Sequence, residues 1–497
     1  MGLFIKNLFK KFDKKYLFLA IFFLMTVMTF STKYYGSTDI GDYTDSAKYL
    51  AGEYSAKIRN THSYMYGFLL SPFVNLTHSF VIFKIFNLLL ILGITYSIYL
   101  MCGKNKKILY LCILSPIFWY MSPWASPILL SSFLLLWAFY LIEKYEKSGR
   151  NFSLLFSGIF VGLSWTFWDT IFYLGLFLWI VYLCNKKLYS STIFFGGILI
   201  GLLPRMIFDH IYFGFLFYTT LKTFFAGITH WLFGGIYNSE SSYARGLLNY
   251  LLLFLAIPLS YWKVYKPEKF RNHRKAVVFI TLSLLLFAIN PQIRYIASIA
   301  PIMIYLTAKQ IGESKFRKQI ILSIVISLFF VLPYIIQINY NINNEIEWAD
   351  ITYLAEKKFK FDLSEEFIHN SIKDDLEEIT DEYPDEVFLV GPHPDSYQVL
   401  ADTYWGDHVK EFVSVQDYEL WLNNESVLFE KKFMPVPKIS DRRRIWFVGG
   451  ISKNENDKTD YASIKYALSL NENLNLDGFK EIKKYRILTL WQKIDTV

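Results

Sequence analysis

The sequence predicts a polytopic α-helical membrane protein of about 11 transmembrane helices followed by a small C-terminal α/β unit, and three observations carry that prediction. Of the 497 residues, 53% are hydrophobic and 19% aromatic, far outside the usage of soluble domains. The apolar residues come in long blocks, many of them near the length that crosses a hydrocarbon core of roughly 30 Å. Basic residues recur between alternate blocks, as they do where cytoplasmic loops retain Lys and Arg during insertion.

Taken in order, the blocks fall at 16–31, 80–101, 108–122, 125–142, 153–168, 171–184, 192–211, 247–262, 276–290, 295–308 and 319–337. With the N-terminus inside, the cytoplasmic segments receive Lys6, Lys10, Lys11, Lys14 and Lys15, then "KNKK", "EKYEKSGR", "NKK", "KVYKPEKFRNHRK" and "KQIGESKFRK". The bias holds at every turn and leaves the other face with the stretch after the first block, the segment from about 212 to 246, and everything beyond Gln337. No small-residue cleavage site follows the first block at "STKYYGS", so a retained helix is expected rather than a removed leader. The net charge of +8 sits mostly in those loops, which fits contact with anionic lipid and not nucleic-acid binding. Cys102, Cys112 and Cys184 lie in or at the cytoplasmic ends of helices, so no extracytoplasmic disulfide is expected.

Composition changes near Asn339, dividing the chain into a membrane part at 1–337, with a first external loop at 32–79, and a polar extracytoplasmic part at 338–497. In that tail "EVFLVGPHP", "RRRIWFVGG" and "YRILTLWQKI" read as strands, and "DSYQVLADTYW" and "YASIKYALSL" as helices, hence an α/β unit. His393 in "GPHPDS" has no cysteine or second histidine at ligand spacing and reads as a strand-end residue instead of a zinc ligand.

The first external loop is where the chemistry concentrates. "STDIGDYTDSAKYLAGEY" spaces Asp39, Asp42 and Asp45 three apart directly after an apolar helix. If 42–54 is helical, Asp42, Asp45, Tyr49 and Glu53 share one arc, and Ala47, Leu50, Ala51 and Tyr54 another. Interfacial helices ordinarily carry Lys and Arg toward anionic head groups, so an acidic face there calls for another reason: a solvated, capped helix or a working carboxylate cluster.

This loop resembles the first external loop of the GT-C class of integral-membrane glycosyltransferases, in its protein mannosyltransferase and aminoarabinose transferase branch, where Asp is followed by Tyr four later and Ala eight later. Asp39, Tyr43 and Ala47 fit that spacing; Asp45 and Tyr49 fit its first half, with Glu53 in the third place. Both registers stay open. Further on, "THSYMYGFLLSPF" with Pro72 resembles the second, membrane-hugging helix of the loop. "LPRMIFDHIYFGFLF" with Pro204 and Gly214, and "NPQIRYIASIAPIMIYL" with Arg294, Tyr295 and Pro301, resemble two later elements. A lysine that several relatives carry at the outer end of the fifth helix is missing, Asp169 standing in "SWTFWDTIF".

The resemblance implies transfer of a monosaccharide from a polyprenyl-phosphate donor (dolichyl or undecaprenyl) to a protein, lipid or glycan acceptor at the extracytoplasmic face, with a loop aspartate as base or metal-associated carboxylate. The residues suit that chemistry in their own right: a carboxylate takes the acceptor proton, and cations hold the phosphate as charge develops on it. The candidates are Asp39, Asp42 and Asp45 for catalysis, and Arg205, Arg294, Tyr295 and Tyr49 for substrate, with Arg59, His62 and Arg245 ranked behind the two arginines. Each arginine has the alternative of an interfacial snorkel, and Asp209 four residues beyond Arg205 offers it a structural partner. The aspartates also suit Mg2+ or Mn2+, and relatives divide between metal-using and metal-free sites, so both stand. A transporter or lipid-linked-sugar flippase would show repeat symmetry and mid-membrane ionisable residues; no repeat is visible here. A lipid-linked-oligosaccharide transferase would carry Trp-Trp-Asp-Tyr-Gly in its tail, where this chain has "YWGDH". A non-catalytic membrane scaffold completes the alternatives.

Overall fold

The structure is a computed structural model. It describes residues 14–31, 63–77, 81–169, 171–183, 188–221, 267–289, 293–310 and 318–328, segments of the tail between 375 and 494, and the isolated positions 43, 46, 47, 50, 255 and 257.

The helices follow the apolar blocks. They are α1 (Lys14–Ser31), α2 (Met65–Thr77), α3 (Val81–Met101), α4 (Lys106–Ile113), α5 (Pro116–Met121), α6 (Ile128–Ser148), α7 (Asn151–Phe167), α8 (Ile171–Leu183), α9 (Leu188–Phe213), α10 (Pro267–Ile289), α11 (Ile293–Ile296), α12 (Ala300–Gln310) and α13 (Lys318–Leu328). Among the described residues α3, α6 and α9 are long and apolar enough to cross a membrane. Tyr16, Leu19, Phe23, Val27 and Phe30 on α1, and Leu199, Leu203, Ile207 and Ile211 on α9, are exposed along stripes of helical spacing. Water does not tolerate contiguous apolar surface of that extent, whereas lipid does.

Two expected spans are interrupted. The block at 108–122 is two helices, because Pro116 holds Ser115 in an extended conformation with φ −68° and ψ 125° and opens α5 in its own first turn. The block at 295–308 breaks at residues 297–299, and Pro301 sits in the first turn of α12. The 276–290 span begins earlier, at Pro267, through a non-helical His273, so part of the basic stretch taken as a loop is helical. The 247–262 block lies outside the described residues except at Leu255 and Ile257.

Packing fixes the helix directions. Ser131 and Ser164 exchange hydroxyl-to-carbonyl bonds of 3.0 and 2.8 Å, and Ser157 donates to Ala138 at 2.8 Å, tying α6 and α7 antiparallel. Gly158 and Gly162 of α7 face Gly197 and Gly201 of α9, whose backbones leave no room for a Cβ at any of the four. Small residues four apart on both helices let the backbones approach closely, the main route to helix association in lipid. These two helices run parallel, α8 returning between them. One end of the bundle therefore gathers the end of α1, the starts of α3 and α6, and the ends of α5, α7 and α9; the other gathers their opposite ends.

In the tail, strands β1 (Phe388–Val390), β2 (Phe412–Ser414), β5 (Tyr466–Leu470), β6 (Phe479–Lys484) and β7 (Leu488–Lys493) form a sheet in the order β2-β1-β5-β7-β6. β1 pairs parallel with β2 and β5, and β7 pairs antiparallel with β5 and β6. Strands β3 (Met434–Val436) and β4 (Trp446–Val448) form a separate antiparallel pair. The expected helix at "YASIKYALSL" is overturned: Tyr461–Ser463 is one 3-10 turn, and the rest is the central strand β5. Ala467, Leu468 and Ser469 are all buried there. A strand covered on both faces loses the alternation that would announce it. "DSYQVLADTYW" and the lead-in at 339–359 lie outside the described residues.

Candidate active site

The end of the bundle that the sequence marks as outer carries an unusual set of buried polar side chains. Lys84 lies in the first turn of α3 and is 2% exposed. Its ammonium donates to the Thr29 carbonyl at 3.0 Å, while the Thr29 hydroxyl donates to the Met25 carbonyl at 2.7 Å and lies within hydrogen-bond distance, 2.8 Å, of the Ser122 hydroxyl. One turn along α3, the buried Asn87 donates its amide to the carbonyls of Met121 (3.2 Å) and Trp124, and its own oxygen has no partner among the described residues. A lysine inside an apolar helix is costly unless it serves an anion or a polar site. Sequence reasoning passed over Lys84 because hydropathy cannot say which side of an apolar helix faces inward; the signal was a lone cation in "VIFKIFN".

Arg294 belongs to the same neighbourhood. Its guanidinium carbon lies 5.8 Å from the centre of the Trp124 ring and 5.5 Å from that of Tyr295, within the range where a ring face attracts a cation. Tyr295 in turn stacks near Trp168 at 6.1 Å and Phe287 at 5.8 Å. The short α11 places Arg294 and Tyr295 on the rim, half-buried. The aromatic residues there are thus ordered around a cation.

Arg205, a substrate candidate from the sequence, is placed in the interior of the bundle and not at an interface. It is fully buried, with one guanidinium nitrogen paired to Asp169 and Nε donating to the Thr219 hydroxyl at 2.9 Å. Asp209 does not bond it directly. That carboxylate accepts from the Thr219 amide (3.0 Å), the Thr219 hydroxyl (2.7 Å) and the Tyr64 hydroxyl (2.9 Å). Asp169 thus pairs with an arginine where the sequence comparison noted a missing lysine.

Tyr43, Ser46, Ala47 and Leu50 are helical, the first three buried and Leu50 half-buried. Of the apolar arc expected in the first loop, Ala47 and Leu50 lie on this packed side, joined by Tyr43 and Ser46 at helical spacing, while Ala51 and Tyr54 lie outside the described residues. Tyr43 packs edge-on against Tyr66 of α2 at 5.8 Å, and Tyr66 against Phe83 at 5.5 Å. Asp39, Asp42, Asp45, Tyr49, Arg59, His62 and Arg245 lie outside the described residues.

No family model and no curated protein matches the sequence. In shape the chain is similar to the crystal structure of ArnT from Cupriavidus metallidurans bound to undecaprenyl phosphate, with a TM-score of 0.58 and 10% identity over 97% of this chain and 98% of that one. The apo structure of the same protein gives 0.52 at 10% identity over 96% and 97%. The chain has a GT-C-type fold, and it is a multi-pass integral membrane protein. The likeness at this identity is one of fold, and it bears out the resemblance drawn from the loop spacing.

Proposed function

We propose that the protein is an inverting glycosyltransferase that moves a monosaccharide from a polyprenyl-phosphate donor to an acceptor hydroxyl at the extracytoplasmic face. The observation that carries this reading is the buried Lys84 and ring-held Arg294, two cations set around one loop at the rim where the acidic helix docks. A neighbour of the same fold that is bound to undecaprenyl phosphate supports a lipid phosphate as the anion these cations serve.

In this reading a carboxylate among Asp39, Asp42 and Asp45 takes the proton of the acceptor hydroxyl. The acceptor oxygen bonds the anomeric carbon as the carbon–oxygen bond to phosphate breaks, and the electron pair leaves on the phosphate. Arg294 and Lys84 hold that phosphate, and Tyr295 with Trp124 holds Arg294. Arg59, His62 and Tyr49 line the substrate side of the loop, and any Mg2+ or Mn2+ would rest on the same three aspartates. Arg205 anchors the outer loops instead of touching the donor. Residues 338–497 lie outside and shape access for a protein, lipid or glycan acceptor.

Purified protein incubated with a panel of labelled polyprenyl-phosphate sugars should consume one of them and release polyprenyl phosphate. Consumption of none, with substrate translocation in proteoliposomes instead, would turn the reading to a transporter.

A further inference from the structure

The buried knot at Arg205 has no evident reason as a source of stability. Its ion pair is made at one point only: the second guanidinium nitrogen of Arg205 and the second carboxylate oxygen of Asp169 are both buried without a partner among the described residues. A half-satisfied buried pair returns little against the desolvation of its charges. What the knot does supply is a fixed point. It joins the ends of α7 and α9 to Thr219, and through Asp209 to Tyr64, the turn residue that precedes α2. A second tie runs beside it, the Ser63 hydroxyl donating to the Thr166 carbonyl at 2.5 Å.

One turn from Tyr64, Gly67 makes the next contact. A Cβ at Gly67 would lie 2.5 Å from the Tyr43 carbonyl oxygen and 2.7 Å from the Ala47 amide nitrogen. Both are backbone atoms that cannot swing aside, so only glycine lets the acidic helix seat this close to α2. In sequence Asp42 precedes Tyr43 and Asp45 precedes Ser46, so the backbone that Gly67 admits is the backbone that carries the candidate bases.

We infer that Tyr64 and Gly67 are positioning residues: the Asp209-held tyrosine fixes α2 to the membrane bundle, and the Gly67 notch sets the depth at which the loop carboxylates stand over the donor. The inference rests on the glycosyltransferase reading for its kinetic consequence, and on geometry alone for its mechanical one. A shift of about 1 Å in a reacting group costs on the order of a hundredfold in rate. The donor, held by other helices through Lys84 and Arg294, would bind as before.

The test compares Gly67→Ala and Tyr64→Phe with Gly93→Ala, whose added Cβ would meet only the Phe133 ring at an ordinary 3.8 Å. Gly67→Ala should lower kcat by about ten- to a hundredfold and Tyr64→Phe by a smaller factor, with donor KM within about twofold in both. Gly93→Ala should leave both constants unchanged. Hydrogen exchange, read without substrate, should quicken at residues 43–50 in both positioning variants and stay unchanged across α6. Wild-type kcat in both variants, a rise in donor KM at constant kcat, or exchange quickening equally in α6 would overturn the inference. If the wild-type protein consumes no donor, the function reading fails by itself. The exchange result then still decides the mechanical tie, local quickening upholding it and unchanged exchange at 43–50 ending it.

Discussion

The two ends of the helical bundle treat charge in opposite ways. At one end Lys84, Arg205, Asp169 and Asp209 are all buried, some with polar atoms left unmatched. At the other, Glu143 pairs with Lys309 at 2.6 Å and accepts from the hydroxyl of the buried Tyr305 at 2.6 Å, and Glu146 pairs with Lys275, the four charged groups being partly open to solvent. The second arrangement is what a helix end needs to meet water and head groups, and exposed pairs of that kind contribute about 0–1 kcal/mol. The first costs free energy that folding does not recover, so its retention points to work done there. That contrast is the reason this end is taken as the candidate for the proposed site.

The comparison is broken most severely at the acidic loop. Asp39→Asn, Asp42→Asn and Asp45→Asn preserve size but cannot accept a proton, and the variant at the true base should lose transfer by about two to four orders of magnitude. Surface carboxylates away from special features change stability by only about half a kcal/mol, so each variant should still insert and remain monodisperse. The largest loss also decides between the two registers, Asp39 with Tyr43 or Asp45 with Tyr49. Full transfer in all three would make the acidic face a solvated helix.

Next in size is the knot. Asp169→Ala leaves the buried Arg205 without its directly bonded carboxylate, which should cost about 3–5 kcal/mol, whereas Glu143→Ala at the opposite end should cost about 1 kcal/mol or less. Apparent melting temperatures in detergent compare the two directly, and equal shifts would erase the distinction between the ends.

Arg294→Lys keeps the charge and loses the planar fork and its ring contacts. Donor KM should rise by about tenfold, the equivalent of about 1.4 kcal/mol, with protein yield unchanged. Lys309→Met, which removes a cation at the other end, should leave donor KM alone. A donor KM unmoved by Arg294→Lys would return Arg294 to the interface belt.

How much of this was legible in the sequence depends on the kind of signal. Apolar blocks found α1, α3 and α6 to α9 within a few residues, since length and hydropathy suffice for a helix in lipid. The breaks at Ser115 and at 297–299 were legible too, in Pro116 and Pro301, but a proline near a helix start is also compatible with an unbroken span. Tertiary pairing was not legible. Asp209 stands four residues from Arg205 and was the natural local partner; the true one, Asp169, comes from α7's end on a neighbouring helix. Lys84 was hidden for the same reason, and "YALSL" misread because sheet neighbours override local preference.

The smallest effect is expected in the tail. Lys483 and Tyr485 donate to Glu382 at 2.5 and 2.9 Å, and the Lys483 bond foremost holds the Glu382 carboxyl below its ordinary 4.5. A carboxyl with a lowered folded-state pKa adds stability above its unfolded value and loses it as pH falls through the folded one. Glu382→Gln should therefore lower tail stability slightly at neutral pH, flatten its further loss on acidification below about pH 4.5, and match the wild type at strongly acid pH. An unchanged acid limb would show that this exposed cluster adds nothing.

The central claim, that the buried-charge end handles a lipid-linked phosphate, is tested most directly by photo-crosslinking. A polyprenyl phosphate bearing a photoreactive group on the isoprene next to the phosphate, mapped by mass spectrometry, should label residues 81–90, 119–126 and 293–298, and unlabelled polyprenyl phosphate should compete it away. Competed labelling at 101–107, 143–150 or 305–310 instead would put the phosphate at the opposite end and contradict the account.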